Sequence, residues 1–146
     1  MINLYTIGFT KKSAERFFDL LVSNGVTRIA DTRLNNTSQL AGFAKADDLK
    51  YFAKKVGNIG YIHIPEFAPT DEILSGYRKK LISWDEYEKA YRELLISRNV
   101  REFFNPNDFN NNVLLCSEDT PDKCHRRILA EYLQTIWEGV RINHLV

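Results

Sequence analysis

Strand-like and helix-like segments alternate along this chain, and that alternation restricts the fold more than any other feature. Asn3-Leu4-Tyr5-Thr6-Ile7 is rich in β-branched and aromatic residues and is closed by Gly8, as a strand would be. Ser13 is placed to cap a helix carrying Ala14, Phe17, Phe18, Leu21 and Val22 on one face, with Gly25 as its stop. A strand follows over 26–30, with Asp31 at its exit. The stretch 32–46 reads as a loop, long enough to suggest a functional role. Asp47 is expected to cap a helix with Leu49, Phe52, Ala53 and Val56 inward, ending at Gly57. A third strand covers 60–64 and stops at Pro65. Thr70 opens a short helix to about residue 80. Ser83 and Glu86 then form a capping-box pattern ahead of a helix whose stripe of Trp84, Tyr87, Tyr91, Leu94 and Leu95 reads as core. A fourth strand (113–116), a helix over about 121–138 and a last strand (141–145) complete the chain.

The order β-α-β-α-β-α-α-β-α-β requires right-handed crossovers between parallel strands. The expected fold is therefore α/β: one three-layer, Rossmann-like domain over residues 1–146, with a mostly parallel sheet flanked by helices. A chain of 146 residues can bury the core this needs. No apolar run approaches the roughly 18 residues of a membrane span, and no signal-peptide pattern opens the chain, so no membrane association is expected. The formal net charge is +1, with scattered lysines and arginines. That leaves no extended nucleic-acid-binding surface, although a local basic pocket stays open. Two cysteines in this setting point to a reducing, cytoplasmic compartment, where thiols serve chemistry more often than structure.

In a parallel sheet every strand exit opens on one edge, and ligands bind at that edge. The exits here carry Gly8-Phe9, Asp31-Thr32-Arg33, Pro65-Glu66-Phe67 and Cys116-Ser117-Glu118. The opening of the last helix, Cys124-His125-Arg126, joins them. The candidate site residues are thus Gly8, Asp31, Arg33, Glu66, Glu118 and Arg126 for ligand binding, and Cys124, Cys116 and His125 for chemistry. At about 100° per residue, His125 falls on the apolar face of the last helix, Cys124 at its margin and Arg126 towards the polar side. Arg33, Arg126 and the helix N-terminus are expected to make an anion pocket.

Seven residues separate Cys116 from Cys124, a spacing unlike thioredoxin-type or zinc-knuckle motifs. Zinc would need Cys116, Cys124, His125 and a carboxylate together, so no metal or cofactor is expected. The two thiols could bridge under oxidation if their Cα atoms come within about 7 Å. Cys124, beside His125 and Arg126 at a helix end, is expected to be the more reactive.

These residues resemble the DUF488 family, small prokaryotic proteins of unassigned function. The likeness runs through Thr6-Ile7-Gly8-Phe9-Thr10, Asp31-Thr32-Arg33, Phe43, Tyr61-Ile62-His63-Ile64-Pro65-Glu66 and Leu114-Leu115-Cys116-Ser117-Glu118, ending at Cys124-His125-Arg126. The last two stretches are its most specific part. Phe9 stands where the family usually has histidine, and Asn36 where a proline is common. The resemblance implies an α/β fold and a shared site around these motifs, without a reaction.

Three functions follow from this reading. One is a module binding a small anionic or nucleotide-like ligand. Another is a cysteine-dependent enzyme acting on such a ligand. The third is a thiol redox sensor. The incomplete set of catalytic groups and the loss of histidine at position 9 tilt the balance towards binding.

Overall fold

The alternating pattern resolves into a five-stranded sheet whose strand pairs are all parallel. The computed structural model describes residues 1–37, 42–118 and 120–146. Among these, the strands are β1 (Ile2–Gly8), β2 (Arg28–Asp31), β3 (Gly60–His63), β4 (Asn112–Cys116) and β5 (Val140–Leu145). The helices are α1 (Ala14–Ser23), α2 (Ala46–Gly57), α3 (Asp71–Arg78), α4 (Trp84–Ser97), α5 (Val100–Phe103) and α6 (His125–Ile136). Spatial order in the sheet is β3-β2-β4-β1-β5.

Local chemistry sets the boundaries. Ser13 Oγ accepts from the Arg16 amide and caps α1. Ser83 and Glu86 make both bonds of the capping box that starts α4. Asn58 takes a left-handed conformation (φ 53°) to end α2, a role that a sequence reading gives to Gly57. The α2 cap is Lys45 rather than Asp47, which lies in the first turn where an acid suits the helix dipole. The last helix begins at His125, with Cys124 as its N-cap, so the turn before it is longer than the sequence pattern suggested.

Two hydrophobic clusters cover the two faces. Phe17, Phe18 and Leu21 of α1 and Leu49 and Ala53 of α2 pack on Ile7, Ile29, Val113 and Leu115. Tyr87, Tyr91 and Leu95 of α4 and Ile128, Leu129 and Leu133 of α6 pack on Leu4, Ala30 and Leu114. The fold is therefore the three-layer α/β arrangement that the alternation predicted. Val22, Phe52 and Val56, expected inward, are exposed instead. The inward stripes of α1 and α2 are therefore narrower than a periodic reading suggests. No helix among the described residues is long and apolar enough to cross a membrane.

The register brings the exits level. Gly8 pairs with Cys116, and Asp31 sits opposite Leu115 on one side and His63 on the other. β1 and β4 are neighbours, yet the chain leaves β1 for α1 on one face and β4 for α6 on the other. Such a divergence opens a crevice at the carboxyl edge of the sheet.

Candidate functional site

At that crevice, Arg126 is fully buried and its Nη1 reaches both cysteine sulfurs, 3.7 Å from Cys116 Sγ and 3.8 Å from Cys124 Sγ. The same nitrogen donates to the Glu118 carbonyl oxygen. Arg126 was expected on the polar side of the last helix. It turns inward because the strand exit offers sulfur and carbonyl acceptors that a helical wheel does not contain. Gly8 makes the room: a Cβ there would fall 1.5 Å from the Glu118 carbonyl oxygen and 2.6 Å from Arg126 Nη1. Only glycine lets β1 run this close to the β4 exit.

Cys116 and Cys124 are joined by a disulfide, their Cα atoms 7.5 Å apart. Both are buried. One ligand-capable atom each from Cys116, Cys124 and His125 lies within 4.8 Å of the others.

Thr32 locks the histidine. Its hydroxyl donates to the Leu115 carbonyl oxygen at 2.8 Å. His125 Nε2 lies 2.9 Å from the Thr32 carbonyl oxygen and 3.0 Å from Thr32 Oγ1. A carbonyl can only accept, so Nε2 carries the proton and Nδ1 keeps the lone pair. Burial drives the His125 pKa down to about 4; the bond to Thr32 opposes the shift and the charge of Arg126 adds to it. The ring is therefore neutral near pH 7.

Arg33 is held from behind. Its Nε and Nη2 each lie 2.8 Å from an oxygen of Asp31, in the paired geometry typical of arginine and carboxylate. Asp31 also accepts from the Tyr61 hydroxyl at 2.6 Å and from the Asn36 amide at 3.4 Å. Burial alone would raise the Asp31 pKa. The bonds and charge of Arg33, with the Tyr61 hydroxyl, outweigh it and keep the carboxyl below its ordinary value. His63 Nε2 donates to the Arg33 carbonyl oxygen at 2.8 Å, and the guanidinium carbon lies 5.5 Å from the Phe9 ring centroid. Phe9 thus backs the arginine, and Asn36 joins the carboxylate. Arg33 is 3% exposed, and its Nη1 is buried without a hydrogen-bond partner among the described residues.

Arg33, Cys116, Glu118, Cys124 and His125 line one cleft of about 400 Å³. Asp31, Gly8 and Arg126 stand behind its wall and position what lines it. Glu66 is exposed and lies outside the lining, its carbonyl oxygen accepting from Arg98. The opposite wall comes from α3 and α4: Tyr77, Trp84 and Tyr87, with Arg78 at the rim. The Trp84 and Tyr87 rings stack at 4.7 Å with 16° between planes, and Tyr77 meets Trp84 edge-on at 5.3 Å. The aromatic stripe read as core therefore has a second use, since Trp84 is only half-buried. Lys123 completes the rim.

Thr32, Tyr61 and His63 lie inside the stretches singled out in the sequence but were given no role there, because each acts through a backbone carbonyl or another side chain. The arrangement offers a cysteine pair, here bridged, with an adjacent cation, a neutral imidazole and a buried guanidinium with an uncommitted nitrogen.

No curated protein and no solved structure matches this chain. The sequence profile of DUF488, a domain of unknown function, matches residues 13–133, a span that takes in Asp31-Thr32-Arg33, both cysteines and the Cys124-His125-Arg126 turn. The chain belongs to the DUF488 family.

Proposed function

We propose that the cleft binds a small anionic, nucleotide-like ligand. The observation that carries this reading is Arg33 Nη1. Two other guanidinium nitrogens of Arg33 are committed to Asp31, whereas Nη1, on a side chain that lines the cleft, is buried with no partner among the described residues. A buried donor left unsatisfied costs about 1–3 kcal/mol, more when charged, and an anionic oxygen at Nη1 would recover it. Arg78 and Lys123 add positive charge at the rim against Asp71 and Glu118. The half-buried Trp84 presents a ring on which a planar base could stack. Arg126, expected to share this task, faces the sulfurs and the Glu118 carbonyl instead. The test is calorimetric titration with inorganic phosphate and with a nucleoside monophosphate. Arg33→Lys keeps an ion pair with Asp31 but cannot also offer a second planar edge. Saturable binding that this variant loses supports the reading; binding unchanged in the variant would overturn it.

A second reading, thiol chemistry, has its own observation: the disulfide with Arg126 Nη1 beside both sulfurs. An adjacent cation favours thiolates. As a redox sensor, the dithiol would exchange with a low-molecular-weight disulfide, giving the protein disulfide and two small thiols. As an enzyme, the dithiol form would present Cys124 or Cys116 as nucleophile to the bound anion, with His125 as neighbouring base. Turnover of a bound ligand only under reducing conditions would favour the enzyme. Ligand affinity that merely changes with the redox state would favour the sensor.

A further inference from the structure

We infer that the dithiol form of this protein binds one thiophilic divalent cation of the zinc type through Cys116, Cys124 and His125, with its fourth coordination position open to the cleft. The inference goes beyond ligand binding at Arg33 and does not depend on it. Sequence spacing alone argues against a metal, because ligands separated as 116, 124 and 125 fit no common zinc motif. What spacing cannot register is that the β4 exit and the α6 start bring the three donors within 4.8 Å of one another.

Four features of the surroundings suit a metal. First, the donor set of two thiolates and an imidazole is one that zinc favours over harder, oxygen-seeking cations. Second, the histidine is already in the ligating tautomer. Nε2–H is directed at the Thr32 carbonyl oxygen at 2.9 Å, which leaves Nδ1 as the lone-pair nitrogen. A backbone carbonyl on the far nitrogen is the usual outer-shell support of a metal-bound histidine. Third, Arg126 Nη1 stands 3.7 and 3.8 Å from the two sulfurs. Donors at thiolate sulfur stabilise the charged form that binds metal.

The fourth feature is the backbone. The cysteine Cα atoms are 7.5 Å apart, wider than the roughly 4.4–6.8 Å usual across a disulfide. Two sulfurs sharing a tetrahedral ion with bonds of about 2.3 Å would stand about 3.8 Å apart. The backbone spacing accommodates that separation, so the two side chains need only part by rotation.

Disulfide and metal exclude each other. A water-soluble phosphine reduces the disulfide, taking up the oxygen of one water and leaving two thiols. Binding of the cation then releases the two thiol protons to solvent, so affinity must fall as pH is lowered. Three protein ligands with one position open is the arrangement of catalytic rather than structural zinc sites. All three ligand residues line the cleft.

The test uses the full chain, reduced with phosphine, stripped with a chelator and titrated anaerobically with Co²⁺. The expected result is a thiolate-to-cobalt charge-transfer band and tetrahedral d–d bands that saturate at one equivalent and disappear when Zn²⁺ is added. Cys116→Ser and Cys124→Ser should each abolish the charge-transfer signature at one equivalent. Absence of the band in the reduced wild-type protein would overturn the inference, whatever the variants do. So would an undiminished band in folded Cys124→Ser. Phosphate is absent from this titration, so failure of the anion reading would leave its result untouched.

Discussion

Arg33 and Asp31, two residues apart in the chain, form a buried ion pair joined by two 2.8 Å hydrogen bonds. The pair turns a strand exit into a rigid mount for one guanidinium edge. Arg33→Lys should retain folding and lose the stabilisation by phosphate. A ligand that binds only the native state at 100 times its dissociation constant adds about 2.7 kcal/mol. Differential scanning calorimetry with and without millimolar phosphate reads this directly. An equal phosphate-induced rise in Tm in both proteins would place the anion elsewhere.

The same pair sets a pH dependence. The Asp31 carboxyl titrates below its ordinary value in the folded protein, against about 3.9 when unfolded. Its contribution is therefore fully present above the unfolded pKa and is lost as pH falls through the folded pKa. Asp31→Asn leaves Arg33 buried without its counter-charge, at a cost of about 3–5 kcal/mol near neutral pH. The gap between variant and wild type should narrow as pH drops below about 4. Urea midpoints across that range give the answer, and a gap independent of pH would contradict the assignment.

Gly8 should tolerate no side chain. Alanine would press its Cβ into the Glu118 carbonyl and the Arg126 guanidinium, and the nearer of the two is backbone, which has no rotamer by which to give way. Overpacking of this kind costs about 1–3 kcal/mol, and a rigid backbone neighbour puts it at the upper end. Equilibrium denaturation of Gly8→Ala measures it.

The aromatic wall gives a ligand-specific prediction. Base stacking on an aromatic side chain contributes about 1–3 kcal/mol. Trp84→Ala should lower affinity for a nucleoside monophosphate by that amount while leaving inorganic phosphate affinity nearly unchanged. Equal losses for both ligands would mean that Trp84 shapes the cleft rather than holding a ring.

The layer order and the site's rough location were legible because they follow from periodicity. Alternating segments force parallel strands, and parallel strands bring residues 8, 31, 116 and 124–126 to one edge. Side-chain direction was less legible. A helical wheel places Arg126 by its own helix, whereas its position depends on sulfur and carbonyl acceptors from β4 and on space left by Gly8. The double role of Trp84 was hidden for a similar reason. Its stripe packs on the core, but its half-buried ring reaches a cleft that exists only once α3, α4 and the β4 exit are assembled. Thr32 and His63 contribute through backbone carbonyls, their own or a neighbour's, and no residue pattern encodes that.

The two thiols, once reduced, should differ in reactivity by less than their sequence neighbours suggest. Adjacent cationic residues favour Cys124 on paper, but Arg126 Nη1 is nearly equidistant from both sulfurs, at 3.7 and 3.8 Å, so its charge does not discriminate. Solvent access differs little too, at 1% for Cys116 and 3% for Cys124. What remains is the helix: Cys124 is the N-cap of α6, at the positive end of the helix dipole, whereas Cys116 ends a strand. Cys124 should therefore alkylate faster with iodoacetamide at pH 7, by a modest factor consistent with the about 0.3–1 kcal/mol of a helix-end charge interaction. Before reduction neither should label. Peptide mass analysis of a short time course separates the two sites. Faster labelling of Cys116 would show that the helix end does not govern this pair, and the nucleophile would then have to be assigned to the strand exit.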